Sequence, residues 1–296
     1  MAKKLPTVTK EPLPDGEDLK QRAYLERQLI VVLPDEAVRA QRKAQQSAGT
    51  DRGRMNWPKL AGFVLAGLSG ASASLGYAIV DLVPLVYKAI VKLWETGVDV
   101  QPISRTEARV LRFPPGHPRD GVLYIGHPAI ADLYYTMSEF HRFTFEHKMS
   151  EAVGLLMSLG AQELTVGHVQ GWGREFGAQL NLALPTTKVG AGAKAKRKTA
   201  KKREILFEAQ LDGHVKPSLP NDLVWYPFEP TWQRIAEGRL KYGLKTFSLS
   251  VRYEDDFGVS AGLRLQASKA GLDVGGTFED YQATVWRIEG IFGQSS

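Results

Sequence analysis

The segment from Leu60 to Val80 constrains the fold more than any other part of this sequence, because its 21 residues include no charged side chain. A helix of that length extends roughly 30 Å, which matches the hydrocarbon core of a bilayer. Trp57 and Tyr77 lie near its two ends, where interfacial aromatic residues are common. The segment therefore predicts a helix that spans or seeks a membrane, with a glycine-rich helix buried in a soluble core as the alternative.

Small residues recur at every fourth position of this segment and would share one face of a helix. The members of this small-residue stripe are Gly62, Ala66, Gly70, Ser74 and Ala78. Such a stripe lets the backbone of a second helix approach closely, so it predicts helix packing and a homo-oligomer. Arg52, Arg54 and Lys59 precede the segment and predict a cytoplasmic N-terminus if the helix spans a membrane.

Composition divides the chain into three predicted regions. A polar segment, partly disordered or helical, covers residues 1–54, and residues 55–100 hold the hydrophobic helix followed by an amphipathic helix. The amphipathic helix is predicted because apolar residues from Val83 to Trp94 follow a helical period. It would lie at a membrane interface or pack on a sheet. Residues 101–296 are predicted to form an α+β domain with a basic loop at 188–203.

The predicted fold class is α+β, with a hydrophobic helical N-terminal region followed by a domain rich in antiparallel strands. Alternating apolar and polar residues predict a C-terminal antiparallel meander with strands at 247–253, 259–266, 272–278 and 284–292. Earlier strands are predicted at 107–113, 121–125, 163–169, 177–184 and 204–211, and helices at 18–33, 35–46, 129–159 and 231–242.

The chain contains no cysteine, which excludes disulfides, thiolate catalysis, iron–sulfur clusters and cysteine zinc sites. No glycine-rich fingerprint for phosphate binding occurs, so no nucleotide cofactor is indicated. Metal-ligand residue types cluster at His141, Glu146, His147 and Glu151. The two histidines are six residues apart and would face different sides of a helix. The sequence therefore predicts neither a cofactor nor a metal site.

Positive charge is concentrated in one short stretch. Residues 188–203 contain eight lysine and arginine residues and no acid, whereas the whole chain carries a net charge of +6. From residue 194 onward these are Lys194, Lys196, Arg197, Lys198, Lys201, Lys202 and Arg203. No aromatic ring lies among them to stack on a base. The loop therefore predicts electrostatic binding to an anionic surface, with nucleic acid as a less favoured partner and a solvated loop without any partner as the alternative.

One histidine and one aspartate have a spacing that could support acid–base catalysis. His127 and Asp132 form His-x4-Asp in the stretch GVLYIGHPAIADLYY. This stretch resembles the motif of the glycerolipid acyltransferases over about fifteen residues. The resemblance implies that the histidine takes a proton from an acceptor hydroxyl while the aspartate orients the imidazole. The stretch departs from the family pattern because Pro128 follows the histidine and no Phe-Pro-Glu-Gly block lies downstream.

Together these features predict a membrane-associated, non-enzymatic protein that oligomerises. Bilayer disruption by a pore is a sub-hypothesis of this prediction, because ordinary half-buried sheets show the same alternation. The predicted partners are a lipid bilayer and further copies of the chain. Two alternatives stay open. One is a lipid acyltransferase-like enzyme that uses His127 and Asp132, and the other is a soluble cytoplasmic scaffold or nucleic-acid-binding module.

Overall fold

A computed structural model describes residues 16–47, 77–173, 205–213, 216–276 and 280–293 of the 296-residue chain. The chain forms two compact units, each built from two separate stretches of sequence. The first unit comprises Met1–Phe140 and Ala261–Phe278, and the second comprises His141–Ser260 and Glu279–Ser296. Each unit combines helices with a sheet that is wholly or mostly antiparallel, which confirms the predicted α+β class.

The first unit holds a four-stranded sheet in the order β2-β1-β3-β4. Its strands are β1 (Leu29–Leu33), β2 (Gln101–Ser104), β3 (Leu123–Gly126) and β4 (Tyr134–Thr136). β1 runs parallel to β2, whereas β3 is antiparallel to both β1 and β4. All residues of β1 and β3 are buried, because continuous apolar runs suit strands that are covered on both faces.

Six helices belong to the described part of the first unit. They are α1 (Glu17–Gln21), α2 (Tyr24–Arg27), α3 (Asp35–Ser47), α4 (Tyr77–Glu95), α5 (Arg105–Ala108) and, from the later stretch, α8 (Ala261–Ala270). α3 confirms the helix predicted at 35–46. The helix predicted at 18–33 is wrong beyond residue 27, because the β-branched run of β1 forms a buried strand. The strand predicted at 107–113 is also wrong, because a capping box between Ser104 and Glu107 begins α5 there.

The predicted amphipathic helix forms the later part of α4. Val83, Val86 and Ile90 are buried in the first unit, while Lys88 and Lys92 are exposed. The helix therefore covers its apolar face with protein, as one of the two predicted arrangements requires.

The second unit holds a four-stranded antiparallel sheet in the order β6-β5-β8-β7. Its strands are β5 (Ala161–Gln170), β6 (Ile205–Gln210), β7 (Thr246–Tyr253) and β8 (Thr284–Phe292). Its helices are α6 (Phe140–Ser158), which lies in this unit except for its first residue, and α7 (Pro230–Tyr242). The core between helices and sheet includes Phe145, Trp232, Leu249, Trp286 and Ile288.

The prediction of a C-terminal antiparallel meander is only partly correct. β7 and β8 confirm two of its strands, and they are direct neighbours. The strand predicted at 259–266 is wrong, because α8 occupies most of that range. Leu263 and Ala267 are buried four residues apart, while Leu265 is 54% exposed, which is a helical pattern of burial. No described strand covers the stretch predicted at 272–278.

The remaining element predictions have mixed outcomes. The strands predicted at 121–125, 163–169 and 204–211 and the helix predicted at 231–242 are confirmed by β3, β5, β6 and α7. The helix predicted at 129–159 is wrong in its first part, where β4 lies, and α6 continues through residue 148 without a break. The strand predicted at 177–184 lies outside the described residues. The predicted region boundaries at residues 54 and 100 stay predictions.

Candidate functional site

The structure does not bring the carboxylate of Asp132 to the imidazole of His127. Asp132 instead accepts two hydrogen bonds from Arg112, from Nε at 3.0 Å and from Nη2 at 2.9 Å. This bonding lowers the pKa of the Asp132 carboxyl below its ordinary value. His127 is fully buried, and its Nδ1 accepts the backbone N–H groups of Ala129 at 3.2 Å and Ile130 at 3.0 Å.

This bonding differs from the arrangement that the acyltransferase resemblance implies. An aspartate that orients a catalytic histidine accepts a proton-bearing ring nitrogen, yet Nδ1 of His127 is an acceptor toward two backbone amides. A neutral ring then carries its proton on Nε2, which cannot take another from a substrate hydroxyl. The geometry therefore gives no support to the alternative of a lipid acyltransferase-like enzyme at His127 and Asp132, which stays a prediction from sequence.

In the part of the chain that the structure describes, no helix is both long enough and apolar enough to cross a bilayer. α4, which contains the end of the uncharged segment, carries Asp81, Lys88, Lys92 and Glu95. This finding contradicts the prediction of a membrane-associated, pore-forming protein.

Two of the predicted binding features cannot be placed. Ala78 lies in the first turn of α4, but the other members of the small-residue stripe, Gly62, Ala66, Gly70 and Ser74, lie outside the described residues. The basic residues from Lys194 to Arg203 lie outside them as well. Both features stay predictions from sequence.

The candidate ligand cluster on α6 has separate structural partners. His141 is buried, with Nδ1 at 2.9 Å from the hydroxyl of Tyr253 and Nε2 at 2.7 Å from the carbonyl oxygen of Val259. Because a carbonyl only accepts, Nε2 donates and Nδ1 of the neutral ring accepts from Tyr253. Burial lowers the pKa of His141. Within the described residues, no group of three or more ligand side chains is placed to hold a metal ion.

His147 and Glu151 hold the chain segment that precedes α7. Nδ1 of His147 accepts the indole N–H of Trp225 at 2.8 Å. The carboxylate of Glu151 accepts three backbone N–H groups, those of Val224 at 2.8 Å, Trp225 at 2.8 Å and Tyr226 at 2.9 Å. These contacts give α6 a structural role in positioning this segment.

The sheet of the second unit offers a different kind of site, at its two edges. β6 pairs with β5, β7 pairs with β8, and no other described strand pairs with either of them. Since all three neighbouring pairs are antiparallel, β6 and β7 run in opposite directions. Each edge strand leaves one row of backbone groups without a strand partner among the described residues.

Hydrogen bonds at the strand ends show which backbone groups form these outer rows. Leu211 donates its N–H to the carbonyl of Gln162 at 2.7 Å, and Phe292 donates to that of Lys245 at 2.8 Å. In an antiparallel ladder, residues two apart face the same side. Odd-numbered residues therefore face the sheet, and the outward residues are Glu208 and Gln210 on β6 and Thr246, Ser248, Ser250 and Arg252 on β7.

A second contact supports this assignment for β7. Nζ of Lys148 donates to the carbonyl oxygen of Arg252 at 2.8 Å, so that carbonyl is not part of the ladder with β8. The side chains follow the same alternation. Leu249, Val251 and Tyr253 are buried on the core face of the sheet.

The core face of β6 is apolar as well. Phe207, Ala209 and Leu211 pack against the core of the second unit and are partly buried, whereas Glu208 and Gln210 are exposed on the opposite face. Both edges thus present an apolar side and a polar side of the same sheet.

Comparison with protein-family models, with curated proteins and with solved structures finds no match for this chain.

The sequence located β6 and β7 but gave no signal that they are the edges. β6 and β7 are separated by 35 residues along the chain, and their neighbours in the sheet are remote in sequence. Alternation of apolar and polar residues specifies the faces of a strand, not its position in the sheet. The eight residues of β7 contain neither proline nor lysine, so this edge lacks two common protecting residues, but interior strands lack them as well.

Proposed function

We propose that this protein is a non-enzymatic assembly module that self-associates by adding the sheet of one copy to the sheet of the next. One observation carries the proposal. Among the described strands of the second unit, β6 and β7 stand at the two edges of the sheet, run in opposite directions and present outward backbone groups at even-numbered positions. Main-chain pairing at such edges is a recurring mode of protein association.

Strand direction supports this kind of addition. The four strands alternate in direction from β6 to β7. When β6 of a second copy is placed beside β7, the two strands are antiparallel and the alternation continues. The contact joins two different surfaces, so each added copy leaves a β6 edge and a β7 edge at the ends. Such a head-to-tail contact can repeat, and it forms a closed ring or an open array according to its rotation.

The features of β7 suit it to main-chain pairing. Natural proteins protect their edge strands with prolines, lysines and bulges. β7 has none of these within its eight residues, and its register with β8 is continuous. The irregularity in the pairing of β6 lies between Val166 and Gly167 of β5, so residues 207–210 keep a regular ladder.

The histidines that sequence marks as candidates for chemistry support a non-enzymatic role. The ring of His127 accepts hydrogen bonds from two backbone amides. The ring of His141 forms hydrogen bonds with the Tyr253 hydroxyl and the Val259 carbonyl oxygen. The ring of His147 accepts a hydrogen bond from the Trp225 indole. Each ring thus stabilises local structure.

The test is the mass of the full chain in solution as a function of concentration, measured by light scattering and sedimentation velocity. We expect the mass of the native protein to rise with concentration. Ser250→Pro removes one outward N–H of β7 but keeps the ladder with β8, so it should abolish the rise. Ser250→Ala, which keeps that N–H, is the matched control and should associate like the native protein.

A native protein that stays monomeric at every concentration would refute the proposed function. So would a Ser250→Pro variant that associates normally while its circular dichroism spectrum shows a native fold.

A further inference from the structure

We infer that the contact between copies has a single register, in which Arg252 of β7 lies opposite Glu208 of β6 in the next copy. The inference rests on the proposed function, because it specifies the alignment of the same two edges. Both residues belong to the outward rows, so their backbone groups can form one hydrogen-bonded pair across the contact.

The charges of the two edges are complementary. Glu208 is exposed on β6, and the side chain of Arg252 is 64% exposed on β7. Within the described residues, Arg252 has one acidic neighbour, the half-exposed Glu254 at 3.9 Å. An ion pair at that distance between exposed groups contributes little to stability. The guanidinium is therefore available to an acid that a second strand places directly opposite it.

This register also matches the remaining side chains. With Arg252 opposite Glu208, antiparallel pairing places Ser250 opposite Gln210 on the polar face. On the core face it gives the apolar pairs Leu249 with Leu211, Val251 with Ala209, and Tyr253 with Phe207. Directly opposed apolar residues and opposite charges each stabilise a strand pair.

Neighbouring registers are less favourable. A slip of one residue brings polar side chains against the apolar face and sets outward backbone groups against inward ones. A slip of two residues in one direction keeps the faces matched but places Gln210 opposite Arg252. A slip of two in the other direction places Leu206 there, which packs against the core beside Phe207 where the pairing with β5 is irregular. The charge pair is therefore the feature that selects one register among those with matched faces.

The contact that Lys148 makes is compatible with this pairing. Its Nζ occupies one lone pair of the Arg252 carbonyl oxygen. A carbonyl oxygen has two lone pairs, so it can also accept the N–H of Glu208 from the next copy.

Charge reversal tests the register in the full-length protein. Glu208→Arg and Arg252→Glu each place like charges opposite one another, and each should weaken self-association roughly fivefold. The double variant restores opposite charges and should return to within about twofold of the native affinity. An equimolar mixture of the two single variants should associate more strongly than either one alone, because each contact between the two different variants pairs opposite charges.

Matched controls separate this effect from changes in net charge. Asp222→Arg and Arg234→Glu alter exposed residues elsewhere on the second unit and should leave association unchanged. Thr246→Pro removes an outward N–H of β7 beyond residues 249–253 and should be tolerated, whereas Ser250→Pro should not.

The results distinguish the register from the proposed function. If the native protein associates but the single variants and their mixture behave like it, the register is wrong and assembly through the edges stands. An effect of Thr246→Pro as large as that of Ser250→Pro would also overturn the register. A native protein that never associates would refute both the register and the proposed function.

Discussion

Nζ of Lys148 donates to the backbone carbonyl oxygen of Arg252 at 2.8 Å and also forms an ion pair with Glu229. The same ammonium lies 5.2 Å from the centroid of the Trp225 ring. Lys148 is buried on α6, so this one side chain joins the helix, the outer side of β7 and the residue before α7. The end of β7 is thereby fixed in the position from which it would pair with a second copy.

Lys148→Met should lower the free energy of unfolding by about 2 kcal/mol, because it leaves the carboxylate of Glu229 without its partner. The estimate is below that for a fully buried pair, since the Glu229 side chain is 20% exposed. Urea unfolding followed by tryptophan fluorescence measures the change. Adding Glu229→Gln removes the unpaired charge and should recover part of the loss. An unchanged unfolding midpoint in Lys148→Met would contradict this account of the contact.

His141 should make stability depend on pH. Burial lowers its pKa below the ordinary 6.5, while Asp256 and Asp280 act more weakly in the opposite direction. The unfolded chain therefore binds a proton at a higher pH than the folded protein does. The free energy of unfolding should fall as pH decreases through the range just below 6.5. His117 adds to this trend, because burial lowers its pKa too.

His141→Gln isolates the contribution of His141. Urea unfolding of the native protein and the variant between about pH 7.5 and about pH 5.5 should give a shallower pH dependence for the variant. His117→Gln in the first unit is the matched control for a second shifted histidine. If the free energy of unfolding depends on pH in the same way for His141→Gln and the native protein, His141 does not contribute to the pH dependence of stability.

The predictions from sequence succeeded where one residue pattern determines one local structure. β5, β6, β7 and β8 were all found, because each strand has an apolar face that the core of the second unit covers. The prediction of a strand at 259–266 is wrong because two sequence signals compete there. Their apolar residues alternate as in a strand, yet alanine, leucine, arginine and glutamine favour a helix, and the packing of Leu263 and Ala267 follows the helix.

The candidate sites were harder to predict, because their chemistry depends on contacts between residues distant in sequence. His127 and Asp132 have a catalytic spacing, but Arg112, twenty residues away, binds the aspartate. The edge of the sheet depends on the order of strands, which no local pattern contains. The division into two interleaved units likewise depends on where 261–278 packs, and the α8 helix in that stretch was predicted as a strand.

His127→Asn should be tolerated better than His127→Ala. The Nδ1 atom of His127 accepts the N–H groups of Ala129 and Ile130, and the side-chain oxygen of asparagine can accept from the same backbone positions. Alanine leaves both amides without that acceptor, so its unfolding free energy should be lower than that of the asparagine variant by about 1 to 2 kcal/mol. Asp132→Asn removes an exposed ion pair and should cost less than about 1 kcal/mol. Equal stabilities for His127→Asn and His127→Ala would refute this role for the ring.

The basic residues at 188–203 should give salt-sensitive binding to polyanions without preference for a base sequence, because they are eight in number and lack both acids and aromatic rings. Glutamine substitution of Lys196, Arg197, Lys198, Lys201 and Lys202 together should sharply lower the salt concentration that elutes the protein from heparin. The thermal unfolding temperature should change little if these residues form the solvated loop that the sequence predicts.

A matched variant with five scattered exposed substitutions, Lys92→Gln, Arg234→Gln, Lys241→Gln, Lys245→Gln and Lys269→Gln, makes the same change in net charge and should stay bound to heparin up to a higher salt concentration. If both variants elute at the same salt concentration, net charge determines the binding and the concentrated segment does not. Tight, salt-resistant binding of the native protein to one nucleic-acid sequence would also contradict the prediction, because contacts to base edges would then be required.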